Sequence, residues 1–448
     1  MGKGLGRKTW FAIVLFSLFG QIAWTIENMF FNVFIEETFK AGGTEISLMV
    51  SASAIAATLS TLFMGALSDK LGKRKVFISV GYLLWGLSIM AFALLRSDTL
   101  NSIVGDVTSA AALGIALTIA FDCIMTFFGS TANDAAFNAW MTDITDTSNR
   151  GKVEGINSAM PLLSILVVFG VDMLIPKEEG NQLSIDNHWT IIFLIFGSLV
   201  LVVGLLSFFL IKEPKVEVDK KTSYFKNIFY GFRISVIKQN KWLYVFLLGL
   251  CLFSISVQVF MPYLILYFQN TRDIKDYVII FAPAIVLAAV FTIFYGKLID
   301  KYGFKYMSII SLSIYLLGLL VLGLFTNQVL IFIGTLLMMM GFLSLTACFN
   351  SSIRDNTPSD KVGLFQGIRI FMSVLIPMLI GPWIGSAISG NQAFLGVTEK
   401  SYEPSIYIFI GALLVGLLTF GILFLVYFKK KGDNDVKLQH DDAVGEES

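Results

Sequence analysis

Acidic side chains inside long apolar runs are the residues of this 448-residue chain best placed for chemistry. Glu27, Asp122 and Asp134 each lie in such a run. An ionised carboxylate near the centre of a membrane helix costs about 2.5–3.5 kcal/mol on insertion scales, so such a residue is expected to face a cavity. A hydrated position near the membrane surface is the alternative for Glu27. We take the three acids as candidate cation-coupling residues.

Amides, hydroxyls and aromatic rings accompany these acids at helical spacing. Residues three or four positions apart share one face of a helix. Arg369 joins the set as a cation about two turns inside the eleventh apolar run; the alternatives are that it reaches the membrane surface or pairs with Asp355. The candidate substrate-binding residues are Gln21, Trp24, Glu27, Asn28, Asn32, Thr131, Asp134, Asn138, Asn157, Gln258, Tyr263, Asn350, Gln366 and Arg369.

The composition requires membrane helices to position these groups. Hydrophobic residues make up 56% of the chain, charged residues only 15%, and the mean hydropathy is +0.75. A spanning helix needs about 20 mostly apolar residues. Twelve runs qualify, near residues 10–34, 45–67, 76–95, 112–141, 153–175, 189–211, 242–268, 277–299, 306–325, 328–350, 363–389 and 405–428. The sequence therefore predicts an all-α membrane protein with twelve transmembrane helices.

The basic residues orient these spans. With a cytoplasmic N-terminus, 26 of the 33 Lys and Arg residues fall in cytoplasmic segments and six in outer segments. Cytoplasmic loops of membrane proteins carry this excess. We expect a plasma-membrane protein with both termini in the cytoplasm.

An internal repeat divides the chain into halves. The charged turn from Gly65 to Lys75 recurs from Gly296, offset by 231 residues, and Gly151–Met160 recurs from Gly363 with an offset of 212. The 19-residue difference places an elaborated outer segment near 97–112. Repeats of this kind predict two pseudo-symmetric six-helix halves. The predicted parts are a half at 1–211, a linker with an amphipathic helix at 212–241, a half at 242–428 and a disordered tail at 429–448.

Several function classes lack support. Cys123, Cys251 and Cys348 lie in apolar spans, which favours packing over disulfide or metal binding. No catalytic or nucleotide-binding motif is present, so a membrane enzyme or signalling protein is the weakest alternative. We expect no cofactor, no metal site and no nucleic-acid partner; the expected partners are a small-molecule substrate, a coupling cation and the lipid bilayer.

The repeated hairpin G-x-L-x-D-[KR]-x-G-x-[KR] resembles the signature loop of the major facilitator superfamily. The resemblance implies the major facilitator fold, alternating access, a monomer and a site at the interface of the halves. It also implies a conformational latch at the hairpins, for which the matching residues are Asp69, Arg74, Asp300 and Lys301.

A finer resemblance concerns the fourth run. Asp134 precedes Ile144-Thr145-Asp146 by ten residues, as in the fourth-helix signature of the glycoside–pentoside–hexuronide:cation symporters, the group of the melibiose carriers. Gly20-Gln21-Ile-Ala-Trp24 resembles a run of the related sucrose carriers. In those families the residue matching Asp134 serves both cation and sugar.

Departures from that family favour a proton over sodium. The second run has Ala57, Ser60 and Thr61 where the family's sodium site has acids, and Asn138 replaces a sugar-stacking aromatic ring. We expect cation-coupled symport of a sugar, glycoside or similar small polar solute. The alternative within transport is an exporter of amphipathic compounds or a lysolipid carrier, since 41 Phe residues could line an apolar cavity.

Overall fold

The structure is a computed structural model that describes residues 5–145, 149–178, 180–213, 229–358, 362–390 and 401–445. Every regular element in these ranges is helical. The first half supplies α1 Arg7–Phe39, α2 Gly43–Leu71, α3 Arg74–Ala91, α4 Ser97–Val104, α5 Val107–Ile144, α6 Arg150–Leu174 and α7 Gln182–Leu210. The second supplies α8 Ile234–Gln239, α9 Lys241–Thr271, α10 Tyr277–Ile299, α11 Lys301–Leu324, α12 Gln328–Asn356, α13 Phe365–Ser389 and α14 Tyr407–Gly445.

Eleven of the described helices are long and apolar enough to cross a membrane. A shorter apolar stretch, Ala159–Leu174 in α6, lies where the fifth of the twelve predicted spans is expected. The predicted all-α membrane architecture is confirmed.

The chain packs as two compact units that interleave in sequence. One comprises Met1–Phe229, Met261–Val278 and Pro382–Ser405, and the other comprises the remaining stretches from Tyr230 to Ser448. The first unit therefore contains the predicted N-terminal half together with parts of α9 and α13. The predicted domain boundaries stay a prediction.

Within the first unit, α3 and α7 approach so closely that glycine is required at their contact. A Cβ atom added to Gly86 would lie 2.5 Å from the backbone nitrogen of Leu201, and one added to Gly204 would lie 2.7 Å from that of Leu83. Small residues let membrane helices pack by their backbones. This contact fixes the position of α3, the helix that carries Tyr82 and Trp85.

Both repeated hairpins place a glycine at positive φ. Gly72, which caps α2, has a φ of 61° and a ψ of 26°, and its repeat mate Gly303, near the start of α11, has a φ of 75° and a ψ of 168°. Only glycine adopts these angles without steric cost. The conserved spacing of the repeat is therefore explained by two turns that each need a glycine at the same place.

The elaborated segment predicted near 97–112 is the short helix α4 followed by the start of α5. Asp186 of α7 accepts hydrogen bonds from Ser97 Oγ at 2.8 Å and from the Asp98 backbone nitrogen at 3.1 Å, which docks the start of α4. Arg96 pairs with Asp98 at 2.7 Å, and its guanidinium lowers the pKa of Asp98 to about 2.

The segments of α9 and α13 in the first unit are held by hydrogen bonds to each other and to α2. Met261–Tyr263 of α9 forms a 3₁₀ turn. The Tyr263 hydroxyl donates to the Pro382 carbonyl at 2.7 Å and lies 2.7 Å from Ser47 Oγ. Trp383 Nε1 donates to Ser51 Oγ at 3.0 Å. The candidate substrate residue Tyr263 is thus fully buried in a packing contact.

Residues 214–228 of the predicted linker with its amphipathic helix lie outside the described residues. Its described end forms the 3₁₀ turn Tyr230–Phe232 and the short helix α8. At the other end of the chain, α14 includes the charged segment from Lys429; the predicted disorder of 429–448 stays a prediction.

Candidate substrate and cation site

Two helices of the first unit, α1 and α5, bring the candidate acids into one polar cluster. Glu27 comes from α1, and Asp122 and Asp134 come from successive parts of α5. Glu27 interacts electrostatically with each of the other two. We call these three side chains, with Ser53 of α2 and Thr126 of α5, the acidic cluster.

Glu27 is enclosed by protein and is 7% exposed, so it is not hydrated at the surface. Its Oε1 accepts a hydrogen bond from Ser53 Oγ at 2.5 Å and another from Thr126 Oγ1 at 2.9 Å. Its Oε2 is buried and has no hydrogen-bond partner among the described residues. The two oxygens of one carboxyl group therefore have opposite surroundings.

Asp122 repeats this pattern one turn before Thr126. It is 2% exposed, and its Oδ1 is buried without a partner in the described part of the chain. Neither Asp122 nor Glu27 forms an ion pair with a described Lys, Arg or His. A pair of buried acids without a cation is costly when both are ionised, so the arrangement can hold a proton or a small cation.

Asp134 has a different environment, because it is only half-buried and both of its oxygens are engaged. Ser130 Oγ donates to Oδ2 at 3.2 Å, and Asn133 Nδ2 lies 3.4 Å from Oδ1. Tyr82 donates to Asn133 Oδ1 at 2.9 Å, which orients that amide. These neutral donors stabilise an ionised carboxylate that is still accessible to a solute.

Aromatic rings lie beside Asp134. Trp24 of α1 is half-buried and lies within interaction range of the Asp134 carboxylate. Its ring packs on Trp85 with a centroid distance of 5.0 Å. Trp85 also contacts Tyr82 at 5.5 Å. A half-buried indole next to a carboxylate can bind a sugar ring by stacking while the carboxylate accepts hydrogen bonds from hydroxyls.

The other candidates of the first unit are distributed around this cluster. Gln21 and Asn157 are half-buried, whereas Asn28 and Asn138 are exposed. Asn28 and Asn32 donate to backbone carbonyls one turn earlier in α1, and Thr131 does so in α5. These amides are therefore positioned by their own helices and keep their carbonyl oxygens for other partners.

The candidates of the second unit form their own group. Arg369 donates to Asn350 Oδ1 at 3.2 Å, so α13 and α12 bring the predicted cation and amide together. Gln366 and Arg369 line a small pocket of about 20 Å³. Gln258 is half-buried on α9. Asp355 pairs with Arg354 at 3.9 Å, and no contact between Asp355 and Arg369 appears among the described residues.

In the first hairpin, the predicted latch residues Asp69 and Arg74 form an ion pair. Arg74 forms ion pairs with Asp69 and, at 3.1 Å, with Asp143 of α5, and it donates to Ser68 at 2.6 Å. In the second hairpin, Lys301 lies 5.0 Å from the ring of Tyr302, and the side chain of Asp300 lies outside the described residues. A latch role for both hairpins stays a prediction.

A sequence model of the Major Facilitator Superfamily matches residues 10–382 and 277–442. These matches include most of the chain. The chain belongs to the major facilitator superfamily. A search among curated proteins finds no match.

Solved structures of major facilitator transporters share the fold of this superfamily member. A bacterial homologue of the human lysosomal transporter Spinster has a TM-score of 0.72 and 14% identity, covering 94% of this chain and 97% of that chain. The xylose transporter XylE from E. coli has a TM-score of 0.68 and 15% identity, covering 94% and 99%. The nucleoside transporter NupG has a TM-score of 0.67 and 13% identity, covering 93% and 100%.

Within its described residues, the superfamily member has four π-helical turns, three of them at or beside candidate residues. They are Ile26–Phe30 in α1, Ser130–Phe137 in α5, Tyr267–Thr271 in α9 and Phe371–Leu375 in α13. Glu27 and Asp134 lie within the first two, and Arg369 lies two residues before the fourth. Such turns recur at functional sites because they redirect side chains.

Two residues of the acidic cluster have no place among the predicted site residues. Thr126 had a signal in the sequence, because Asp122, Thr126, Ser130 and Asp134 recur at every fourth residue. Ser53 had none, because it is one of many small residues in α2 and only packing brings it to Glu27.

A separate cavity of about 820 Å³ lies in the first unit. Six carboxylates and three lysines line it, among them Glu36, Asp172 and Lys40. His188 Nε2 lies 3.1 Å from Asp172 Oδ1, and His188 Nδ1 lies 3.2 Å from the Ile175 carbonyl oxygen. No group of three or more metal-ligating side chains occurs at this cavity or elsewhere in the described ranges.

Proposed function

We propose that this protein is a secondary active transporter that imports a sugar, glycoside or similar small polar solute together with a cation. The solute and the ion cross by alternating access, and the gradient of the ion drives accumulation. Inward movement of one positive charge is worth about 2.3 kcal/mol per 100 mV, which is enough to concentrate a solute many-fold. The solute, the coupling ion and the direction of transport in this proposal go beyond membership of the major facilitator superfamily.

The observation that carries the proposal is the acidic cluster. Three acids in apolar helices have no ion-pair partner among the described residues, and two of them are almost fully buried. A protein retains such groups in a membrane when they bind an ion, a proton or a polar substrate.

The half-buried surroundings of Asp134 support a hydroxyl-bearing solute. Asp134 offers hydrogen-bond acceptors and Trp24 offers a face for stacking, while the buried Asn133 orients the Asp134 carboxylate. The similar structures include proteins named as xylose and nucleoside transporters, whose substrates also carry hydroxyl groups. Arg369 and Asn350 are proposed to take part in solute binding from the second unit.

Within the superfamily, we place the chain in the glycoside–pentoside–hexuronide:cation branch on the spacing from Asp134 to Ile144. The coupling ion is a proton rather than sodium, because α2 carries Ala57, Ser60 and Thr61 in place of acids. The transporter acts as a monomer in the plasma membrane with both termini in the cytoplasm.

Thermal stabilisation of the purified protein tests the solute class. The panel contains mono- and disaccharides, glycosides, amino acids, amphipathic cations and lysolipids, each with and without sodium at two pH values. A saccharide or glycoside that raises the unfolding temperature of the wild type, but not of Asp134→Asn, supports the proposal. Stabilisation by lysolipids or amphipathic cations alone contradicts it and favours the exporter or lipid-carrier alternative.

A further inference from the structure

The acidic cluster separates into two parts that differ in accessibility. Asp122 is 2% exposed and Glu27 is 7% exposed, so a molecule the size of a sugar cannot touch either carboxyl group. A proton can reach both. Asp134, in contrast, is half-buried, and its carboxylate interacts with the half-buried Trp24.

The hydrogen bonds divide the three acids in the same way. Each carboxyl oxygen of Asp134 has a hydrogen-bond donor beside it, Ser130 Oγ at Oδ2 and Asn133 Nδ2 at Oδ1. Two donors of this kind suit an ionised carboxylate. In the other two acids, Glu27 Oε2 and Asp122 Oδ1 are buried and have no partner in the described part of the chain. A bare, buried carboxyl oxygen suits the protonated form, because a proton there removes the uncompensated charge.

Thr126 joins the two buried acids. Its hydroxyl donates to Glu27 Oε1 at 2.9 Å, and it lies one helical turn after Asp122 on α5. Ser53 supplies the second donor to the same oxygen. The titratable groups that face the pair are Asp134, Cys123 beside Asp122, and Tyr82 through Asn133; no described lysine, arginine or histidine pairs with them.

We infer that Glu27 and Asp122 share one proton and form the coupling-ion site, whereas Asp134 stays ionised and binds only the solute. This division rests on the proposed coupled transport and differs from the resembled family, in which the acid matching Asp134 serves both ligands. The two sites communicate by charge, because Asp134 and the pair interact electrostatically.

Infrared spectroscopy of the purified protein without any solute tests the inference. The carbonyl stretch of a protonated, buried carboxylic acid is measured at neutral pH in the wild type, Glu27→Gln, Asp122→Asn, the double variant and Asp134→Asn. We expect one such band in the wild type, shifted in each single variant of the pair, lost in the double variant and unchanged in Asp134→Asn. Asp186→Asn is the matched control, because Asp186 is equally buried but has donors on both oxygens.

Three results would overturn the shared proton. They are the absence of the band in the wild type, its persistence in the double variant, and its loss in Asp134→Asn. Disappearance of the wild-type band on addition of sodium chloride at fixed pH would assign the pair to sodium instead, which also overturns it. Because no solute is present, a band with the expected behaviour stands even when the solute panel fails, and the panel can succeed when the band is missing.

Discussion

At Asp134, a half-buried carboxylate lies beside the half-buried indole of Trp24, whereas Glu27 and Asp122 of the same cluster are buried. The charge of this residue is what a polar solute would recognise. Its substitution therefore tests the site without removing the helix contacts around it.

We expect Asp134→Asn to abolish gradient-driven accumulation, because the substituted amide loses the charge that accepts hydrogen bonds from the solute. Uptake of a labelled solute into proteoliposomes measures this, with a loss of at least about tenfold, equivalent to one strong polar contact. Asp98→Asn is the control, since Asp98 lies outside the spans and pairs only locally with Arg96. Wild-type accumulation by Asp134→Asn would remove this residue from the site.

Arg369 is the charged candidate residue of the second unit. We expect Arg369→Gln to impair accumulation, because it removes a cation held by Asn350 on a neighbouring helix. Arg354→Gln is a matched control, because Arg354 is exposed and its 3.9 Å pair with Asp355 contributes little. Equal uptake by the two variants in the proteoliposome assay would contradict a role for Arg369.

Spacing along the chain made the acids and the polar residues of α1 candidates, and it proposed Arg369 and Asn350 separately; the structure brings those two together. It could not identify which oxygen of Glu27 has partners. That difference depends on Ser53 and Thr126, which reach Glu27 from two other helices. Such contacts follow from tertiary packing and leave no period in the sequence.

At the scale of elements, the close contact of α3 with α7 requires a residue without a side chain at Gly86. We expect Gly86→Ala to destabilise the protein by about 1–3 kcal/mol, because the new methyl group would lie 2.5 Å from a backbone nitrogen that cannot move aside. The unfolding temperature in detergent measures the change.

Gly421→Ala is the matched control for that substitution. A Cβ atom at Gly421 meets no atom within 4 Å, so alanine should leave stability unchanged or raise it by up to about 1 kcal/mol through its helix propensity. A loss of stability in Gly421→Ala as large as in Gly86→Ala would show that backbone contact is not the cause.

The hairpins and helices were predictable because their signals are local. Gly72 and Gly303 each need a positive φ, and apolar length fixes the spans. The π-helical turns at Glu27 and Asp134 were not predicted. One extra residue in a turn leaves composition and hydropathy unchanged, and only the hydrogen bonds of the folded helix reveal it.

At the scale of the whole molecule, the distribution of Lys and Arg predicts the orientation of the chain. In a variant with the three native cysteines replaced by serine, we expect Ser102→Cys to react with an impermeant maleimide in intact cells. Lys238→Cys should react only after permeabilisation. Both positions are exposed, on α4 and α8 respectively. The reverse pattern of labelling would invert the predicted topology.

Solute accumulation against its own gradient is the measurement that tests coupled transport most directly. Proteoliposomes containing the wild type receive an inward proton gradient, an inward sodium gradient or neither, with a labelled saccharide identified by thermal stabilisation. The account predicts accumulation above equilibrium only with the proton gradient, and its loss in Asp134→Asn and in Glu27→Gln. Uptake that never exceeds equilibrium under either gradient would contradict it.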